Sequence, residues 1–316
     1  MEKLGANMLS NCAFIWSITL SDGLTEIGEK AFYKCRNLET IIIPKTVTKI
    51  GPGAFTDSGL KSITLPHGLT EIGEKAFYNC RNLENVIIPE TVIKIAPSAF
   101  AWSGLKSITL LDGRLTEIGK EAFRCCRNLE TVVIPNTVTK IGRGAFIISG
   151  LKSITLPHGL TEIEEAVFYE CENLENIVIP KAVTKIGPDA FAQSGLKSIT
   201  LPDELTEINI AVFYNCRNLD SMVIPKTVTK IDRCAFWNSG LKSIILPDGL
   251  TEIGKDAFCD CRNLENVVIP DSVTKIGPGA FAGSGLKSII LPDGRLTEID
   301  ESAFYECRNL VVNYRN

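Results

Sequence analysis

The chain of 316 residues is 45% hydrophobic, and its 33 Lys and Arg against 37 Asp and Glu give it a formal net charge of −4. This acidic balance argues against a nucleic-acid-binding protein, which would need a basic face. No apolar run approaches the ~18 residues of a membrane-spanning helix, so we expect no membrane insertion.

Residues 1–20 are predicted to form a degenerate N-terminal capping rung of a repeat array. Leu9, Cys12, Ile15 and Ile18 stand in the register of the segments that follow, and solenoids need caps at their ends. The segment holds one Lys and its apolar part is interrupted, which matches a signal peptide poorly. The sequence therefore leaves the localisation open.

Residues 21–309 repeat with a period of 45, divided into halves of 23 and 22 residues that we call rungs. A fixed period of about 20–50 residues is typical of a solenoid. Arg114 and Arg295 each add one residue to a turn, and residues 310–316 are predicted to be a truncated C-terminal strand. The last strand residue of each rung marks the register: Leu20, Ile43, Leu65, Ile88, Leu110, Ile134, Leu156, Ile179, Leu201, Ile224, Leu246, Ile269 and Leu291.

Each rung is predicted to contain one strand and one tight turn. In residues 60–66, both leucines and Ile63 point inward while Ser62 and Thr64 point outward, as in a half-buried strand. A segment "LTEIG" or "VTKIG" follows, and then "AF" on a short helical or 3₁₀ turn. We predict an α/β repeat solenoid of about 14 rungs, with a parallel sheet on one face and short helical or 3₁₀ turns on the other.

Phenylalanine occupies the "AF" slot of every rung, and only Phe14 lies elsewhere. One aromatic side chain per rung at constant register indicates a core spine and not a cofactor site. The spine consists of Phe32, Phe55, Phe77, Phe100, Phe123, Phe146, Phe168, Phe191, Phe213, Phe236, Phe258, Phe281 and Phe304.

Most of the eleven cysteines share a second slot, which Ser occupies in the alternate rungs. Strands lie ~4.8 Å apart, so cysteines two rungs apart are separated by roughly 9–10 Å, beyond the ~7 Å that a disulfide allows. We therefore predict buried residues in a tight turn, with neither disulfides nor a metal or redox site. Cys125, Cys234 and Cys259 lie outside the slot. The ladder itself is Cys12, Cys35, Cys80, Cys126, Cys171, Cys216, Cys261 and Cys307.

The residue before the first strand leucine is Asn in the 23-residue rungs and Gly in the others, as at Asn82 and Gly104. Both residues tolerate positive φ, so we predict a left-handed backbone at this slot. Replacing Gly150 with Val is expected to destabilise the fold for that reason.

Two columns of charged residues alternate in sign from rung to rung. Like charges one strand apart would destabilise a sheet, so we interpret the columns as register control. The alternative is a solvated charged surface left by duplication. The first column is Glu39, Lys61, Glu84, Lys106, Glu130, Lys152, Glu175, Lys197, Asp220, Lys242, Glu265 and Lys287. The second column is Glu26, Lys49, Glu71, Lys94, Glu117, Lys140, Glu162, Lys185, Glu207, Lys230, Glu252, Lys275 and Glu298.

The pattern L-x-x-I-x-L-P…I-G-x-x-A-F-x-x-C-x-x-L, as in residues 60–83, resembles the BspA-like leucine-rich repeats and extends over nearly the whole chain. The resemblance implies a right-handed leucine-rich-repeat array, curved, with a parallel sheet on its concave face. It also implies microbial surface or secreted proteins that bind host or extracellular-matrix proteins, or mediate adhesion between cells. Neither an export signal nor an anchor is recognised in the sequence.

No arrangement of residues predicts catalysis. His67 and His158 occupy equivalent turns four rungs apart, roughly 19 Å at strand spacing, and cannot act together. Neither zinc-ligand spacing nor a glycine-rich phosphate loop is found. We expect a non-enzymatic protein without a cofactor or a bound metal.

The outward side of the strands is the first candidate for protein binding, because solenoids commonly bind through an extended sheet. Val223, Ile245, Val268 and Ile290 form its most hydrophobic stretch. Selection of β-branched residues for strand propensity is the alternative explanation.

The slot after "AF" in the 22-residue rungs is the second candidate, because it is the most variable place in the array. It holds Trp102, Ile148 and Trp237. Drift at a tolerant surface site is the alternative.

Together these features favour an adhesion-type solenoid that binds another protein, by resemblance a host or matrix protein, through its concave sheet. The alternative is an intracellular or self-assembling scaffold that associates through uncapped ends. Neither hypothesis involves nucleic acid or membrane insertion.

Overall fold

The computed structural model describes residues 2–292, 296–308 and 310–314. It is a parallel β-solenoid of about 13 turns, against the 14 rungs predicted. The chain divides into two compact units, Met1–Leu160 (unit 1) and Thr161–Asn316 (unit 2). The inserted Arg295 lies outside the described residues.

Each turn except the one that ends at residues 60–66 contributes two short strands, of which the sequence predicted one. We call the Glu/Lys–Ile strands A strands and the predicted strands B strands. The A strands of unit 1 are β1 (Glu2–Leu4), β3 (Leu24–Ile27), β5 (Lys49–Ile50), β6 (Glu71–Ile72), β8 (Lys94–Ile95), β10 (Glu117–Ile118) and β12 (Lys140–Ile141). Its B strands are β2 (Ser17–Thr19), β4 (Thr40–Ile42), β7 (Asn85–Ile88), β9 (Ser107–Leu110), β11 (Thr131–Val133) and β13 (Ser153–Thr155).

Unit 2 repeats this arrangement. Its A strands are β14 (Glu162–Ile163), β16 (Lys185–Ile186), β18 (Glu207–Ile208), β20 (Lys230–Ile231), β22 (Glu252–Ile253), β24 (Lys275–Ile276) and β26 (Glu298–Ile299). Its B strands are β15 (Asn176–Val178), β17 (Ser198–Thr200), β19 (Ser221–Val223), β21 (Ser243–Ile245), β23 (Asn266–Val268), β25 (Ser288–Leu291) and β27 (Val311–Tyr314).

The A strands form long parallel ladders. In unit 1 they make one seven-stranded sheet from β1 to β12, and in unit 2 a five-stranded sheet from β18 to β26 beside the pair β14–β16. Their register places Glu26 opposite Lys49, and Lys49 opposite Glu71. The in-register alternation of the second column is therefore present in the fold.

The B strands pair mostly two by two. The pairs β7–β9, β11–β13, β15–β17 and β19–β21 each join a 23-residue rung (Glu rung) to the 22-residue rung after it (Lys rung). Among the described strands, no ladder joins β9 to β11, β17 to β19 or β21 to β23. We call the Glu-to-Lys contact a tight interface and the Lys-to-Glu contact an open interface.

Glycine creates the tight interfaces, by a mechanism different from the one predicted. A Cβ on Gly104 would lie 2.0 Å from the carbonyl oxygen of Arg81, and one on Gly150 would lie 2.1 Å from that of Arg127. Neither glycine has positive φ, and neither does Asn82. The prediction of left-handed backbone at this slot was wrong. Glycine is needed because the backbone of one rung lies directly on the rung before it.

The Cys/Ser ladder joins the rungs at the open interfaces. Ser103 Oγ lies 3.3 Å from Cys126 Sγ, which donates to the carbonyl of Phe100 at 3.2 Å. Asn82 also donates from Nδ2 to the carbonyl of Gly59 across such an interface, at 3.5 Å. None of the eleven cysteines, all of which lie in described residues, forms a disulfide.

The predicted short helices are replaced by hydrogen-bonded turns in all described rungs. Successive backbone amides use different acceptors, which explains the difference. The amides of Ala31 and Tyr33 donate within the turn, to the carbonyls of Gly28 and Lys30. The amide of Phe32 donates to the carbonyl of Ala54 in the next rung, at 2.7 Å. A helix would need every amide within the segment. Left-handed residues two positions before and two after Phe, such as Lys75 and Asn79, let the chain turn twice.

The phenylalanine spine is the core of each unit. In both units neighbouring rings stack nearly parallel, for example Phe32 on Phe55 with centroids 5.2 Å apart and planes 2° apart. Twelve of these side chains are fully buried, and each contributes about 1.5–3 kcal/mol of hydrophobic stabilisation.

The last B strand departs from the repeat alignment by one residue. Val311 pairs with Ser288 and Val312 with the inward-facing Ile289, whereas the repeat would put Asn313 opposite Ile289. A one-residue shift exchanges the two faces of a strand, and here it exchanges an amide for an apolar side chain on the core side.

Candidate protein-binding surfaces

The outward side of the B strands has a polar and an apolar column. In the polar column side chains bond across the strand pairs: Thr40 Oγ1 donates to Ser17 Oγ at 2.9 Å, and Ser107 Oγ to Asn85 Oδ1 at 2.6 Å. Most side chains of the neighbouring apolar column face solvent, as Ile87 does with 59% exposure. The strands thus display apolar groups on a backbone that is held in fixed positions.

The four strand residues predicted as a site lie in this apolar column of unit 2. Val223 opposes Ile245, and Val268 opposes Ile290. Val223 and Ile245 are 65% and 63% exposed, Val268 is 44% exposed and Ile290 is half-buried. They form two strand pairs with an open interface between them.

Val178 was not among the predicted site residues, although it is 84% exposed. It stands in the same column on β15, opposite Thr200 of β17. The sequence already placed Val178 in the apolar column, but the polar Thr200 that follows it in the column interrupted the apolar run that was predicted as the site. The exposed apolar surface of unit 2 therefore begins earlier than predicted.

The residues predicted after "AF" lie on the turns and do not form one site. Trp102 and Ile148 belong to unit 1, and Trp237 belongs to unit 2. Trp237 packs edge-on against Tyr214 with centroids 5.2 Å apart and donates from Nε1 to Asp260 Oδ2 at 3.3 Å. These contacts anchor Trp237 in the surface of unit 2.

Trp102 and Ile148 have left-handed backbones, with φ of 62° and 57°. A bulky or β-branched residue is strained there, by about 1–2 kcal/mol. The same slot holds Asn in other rungs, at Asn79, Asn215 and Asn238. The slot is therefore conformationally restricted, and its apolar occupants are retained at a cost in stability.

The two charge columns form ion pairs at different interfaces. In the first column Lys106 bonds Glu84 at 2.7 Å across a tight interface. In the second, Lys94 bonds Glu117 at 2.8 Å across an open one. Lys185 is an exception, because it bonds the preceding Glu162 at 2.7 Å. Each kind of interface thus has a column that spans it.

A gap in the B strands of unit 1 lies at residues 60–66, which contain no strand and join β7 through one bridge between Ser62 and Asn85. A hollow of about 300 Å³ opens at the gap. Its lining includes Ile63, His67, Ile87 and Leu111. The hollow extends the exposed apolar column of unit 1 at Ile87.

The two units differ in charge. Unit 1 has 18 Lys and Arg and 14 Asp and Glu, and unit 2 has 15 and 23, which gives +4 and −8. The overall value of −4 therefore conceals a basic and an acidic unit.

The buried thiols are expected to be unreactive because they stay protonated. Burial raises the pKa of Cys80, Cys126 and Cys261 to about 12, and that of Cys216 to about 11. A thiol that stays protonated is a poor nucleophile and metal ligand. Across the described residues, no three His, Cys, Asp or Glu side chains come together as a metal would require. In the same residues no helix is long and apolar enough to cross a bilayer.

Stacked parallel rungs, a phenylalanine spine and a regular side-chain ladder before each B strand define a leucine-rich-repeat solenoid. Residues 2–115, 70–197, 116–242 and 184–311 match the family described as "BspA type Leucine rich repeat region (6 copies)". The chain belongs to this BspA-type leucine-rich-repeat family, as the sequence pattern predicted.

Solved structures agree with this assignment. A leucine-rich repeat protein from Bacteroides ovatus is 27% identical with a TM-score of 0.76, over 96% of this chain and 93% of that one. One from Eubacterium ventriosum is 27% identical with a TM-score of 0.57, over 85% and 83%. The pneumococcal vaccine antigen PcpA, at 21% identity and a TM-score of 0.57 over 95% and 74%, shares the fold. No curated protein sequence matches the chain.

Proposed function

We propose that this protein is a non-enzymatic, adhesion-type solenoid that binds a host or extracellular-matrix protein through the outward face of its B strands. The observation that carries the proposal is the exposed apolar column of unit 2, from Val178 at 84% exposure to Val268 at 44%. Apolar residues that stay exposed together mark interaction sites. Members of this family generally act as scaffolds, which agrees with a binding role.

The rigidity of the face supports the proposal. Val223 and Ile245 stand on the paired strands β19 and β21, whose inward residues Met222 and Ile244 are buried. A partner that binds such a surface need not order it, so little conformational entropy is lost.

The test is binding to immobilised fibronectin, fibrinogen, laminin and collagen by surface plasmon resonance. A variant with Val223→Glu, Ile245→Glu and Val268→Glu is expected to weaken binding at least about 100-fold, because three desolvated contacts become charged. Ile42→Glu with Ile87→Glu, at the same strand position in unit 1 and of similar exposure, is the matched control. Unaltered binding by the unit 2 variant would refute the proposal.

Self-association is the second candidate, favoured by β27. Its neighbour β25 pairs with it on one side, and Val311, Val312 and Tyr314 are 57%, 41% and 65% exposed. Apolar side chains that stay exposed together mark interaction sites. Light scattering that shows a strict monomer at high protein concentration would reject this candidate.

A further inference from the structure

A second hollow of unit 1 lies on the side of the phenylalanine turns. Three consecutive rungs form a hollow of about 510 Å³ there. Tyr33 and Tyr78, from the two outer rungs, stand in its lining, and Gly53 and Thr56 of the middle rung lie between them. Ligand pockets of about 300–1,000 Å³ commonly combine aromatic walls with a few polar groups.

The hollow coincides with two positions at which the middle rung has a smaller residue than the outer rungs. Two positions before Phe, the outer rungs have Lys30 and Lys75 whereas the middle rung has Gly53, whose added Cβ would lie 3.2 Å from Lys30 Cγ. One position after Phe, the middle rung has the short Thr56, which turns its hydroxyl inward to the carbonyl of Lys75 at 2.7 Å. Both smaller residues, Gly53 and Thr56, belong to the middle rung.

The width of the hollow favours a saturated ring. The phenylalanines of these three rungs are 5.2 and 5.3 Å apart, so the outer rungs are separated by about 10 Å. A flat aromatic ring between two others needs only about 7 Å, twice a carbon contact of ~3.5 Å. A pyranose chair is thicker than a flat ring, and C–H groups of this kind pack against aromatic rings.

The polar groups suit hydroxyls better than an ion. Asp57 and Glu74 supply acceptors, and Lys30 and Lys75 supply donors, so the lining has no net charge. Asn79 Nδ2 donates to Asp57 Oδ1, while Asp57 Oδ2 has no hydrogen-bond partner among the described residues. Sugar hydroxyls donate and accept in turn, which matches this mixture.

We propose that the hollow between Tyr33 and Tyr78 binds one neutral hexopyranose residue of a glycan. This activity is additional to the protein binding proposed for the B strands of unit 2, and it involves the turn side of unit 1. The two activities can therefore fail or succeed separately.

The probes are the methyl glycosides of glucose, galactose, mannose and N-acetylglucosamine, titrated by saturation-transfer NMR and calorimetry. At least one is expected to bind with a Kd of about 1 mM, and Tyr33→Ala or Tyr78→Ala is expected to weaken it about tenfold. Thr56→Tyr, which fills the hollow with the side chain of the neighbouring rungs, is expected to abolish binding, while Thr56→Ser retains it.

Tyr169→Ala is the matched control in unit 2, where Asp189 stands in place of Gly53. Melting temperatures establish that each variant is folded. The proposal is overturned if no glycoside binds, if Thr56→Tyr binds as the parent does, or if Tyr169→Ala weakens binding as much as Tyr33→Ala.

Discussion

Tight and open interfaces use different contacts to hold the same stack. At the tight interface between the rungs of Cys80 and Ser103, Gly104 lies on the Arg81 backbone, β7 pairs with β9, and Lys106 bonds Glu84. At the next, open interface these are replaced by the contact of Cys126 with Ser103 and by the pair Lys94–Glu117.

Because the contacts differ, the A strands form long ladders whereas most B strands form ladders of only two strands. The A strands and the phenylalanine spine cross both kinds of interface, with ring spacings of 5.1 Å at Phe77–Phe100 and 5.7 Å at Phe100–Phe123. The B strands cross mainly the tight ones. The A strands and the spine therefore maintain the stack, and the B strands are left to present a surface in two-rung steps.

The largest expected effect is that of Gly150→Val at a tight interface. A side chain here meets backbone 2.1 Å away, so the two rungs must separate, and we expect a loss of about 3 kcal/mol in the free energy of unfolding measured with urea. Gly159→Val, where nothing lies within 4 Å, is the control and is expected to cost less than about 1 kcal/mol. Equal losses would contradict the tight-packing explanation.

A smaller loss in the free energy of unfolding is expected at alkaline pH, from the cysteines at the open interfaces. Burial raises the pKa of Cys80 and Cys126 from the ordinary 9.0 to about 12. The unfolded chain therefore releases these protons first, so their stabilisation is complete below pH 9 and is lost as the pH rises towards 12.

Cys80→Ser with Cys126→Ser tests this effect, because serine holds the equivalent slot in the Lys rungs and does not ionise. The variant is expected to lose less stability than the parent between about pH 7 and pH 10.5 in urea titrations. An identical fall in both proteins would show that the thiols do not contribute.

The smallest effect is expected from the ion pairs. Glu84→Lys places a second cation beside Lys106 at a tight interface, and Glu117→Lys does so beside Lys94 at an open one. The Glu84–Lys106 pair is exposed, and in the other pair Lys94 is exposed while Glu117 is half-buried. Each change is expected to cost about 0–1 kcal/mol at low salt. The difference in stability from the parent protein is expected to vanish near 1 M NaCl, where charges are screened within ~3 Å. If only one variant responds to salt, only one column supports the stack.

The sequence alone determined the repeat and its core. A phenylalanine, a Cys or Ser and an inward strand triplet recur at constant spacing, so burial and register follow from periodicity, and the alternating signs of Glu26, Lys49 and Glu71 indicate the in-register stack. The same pattern was specific enough to identify the family. It also located the apolar column of Val223 and Ile245, whose strand position sets which way it faces.

Tertiary structure decided what depends on the distance between rungs. The amide of Phe32 donates to Ala54 of the next rung and not within its own turn. Local sequence does not determine which of these two acceptors an amide uses. For this reason the sequence predicted helices where the structure has turns, and it did not predict the A strands. The close approach of Gly104 to Arg81, the pairing of B strands in twos and the shifted register of β27 arise in the same way. Each depends on how closely one rung packs on the next, and that distance is a property of the stack.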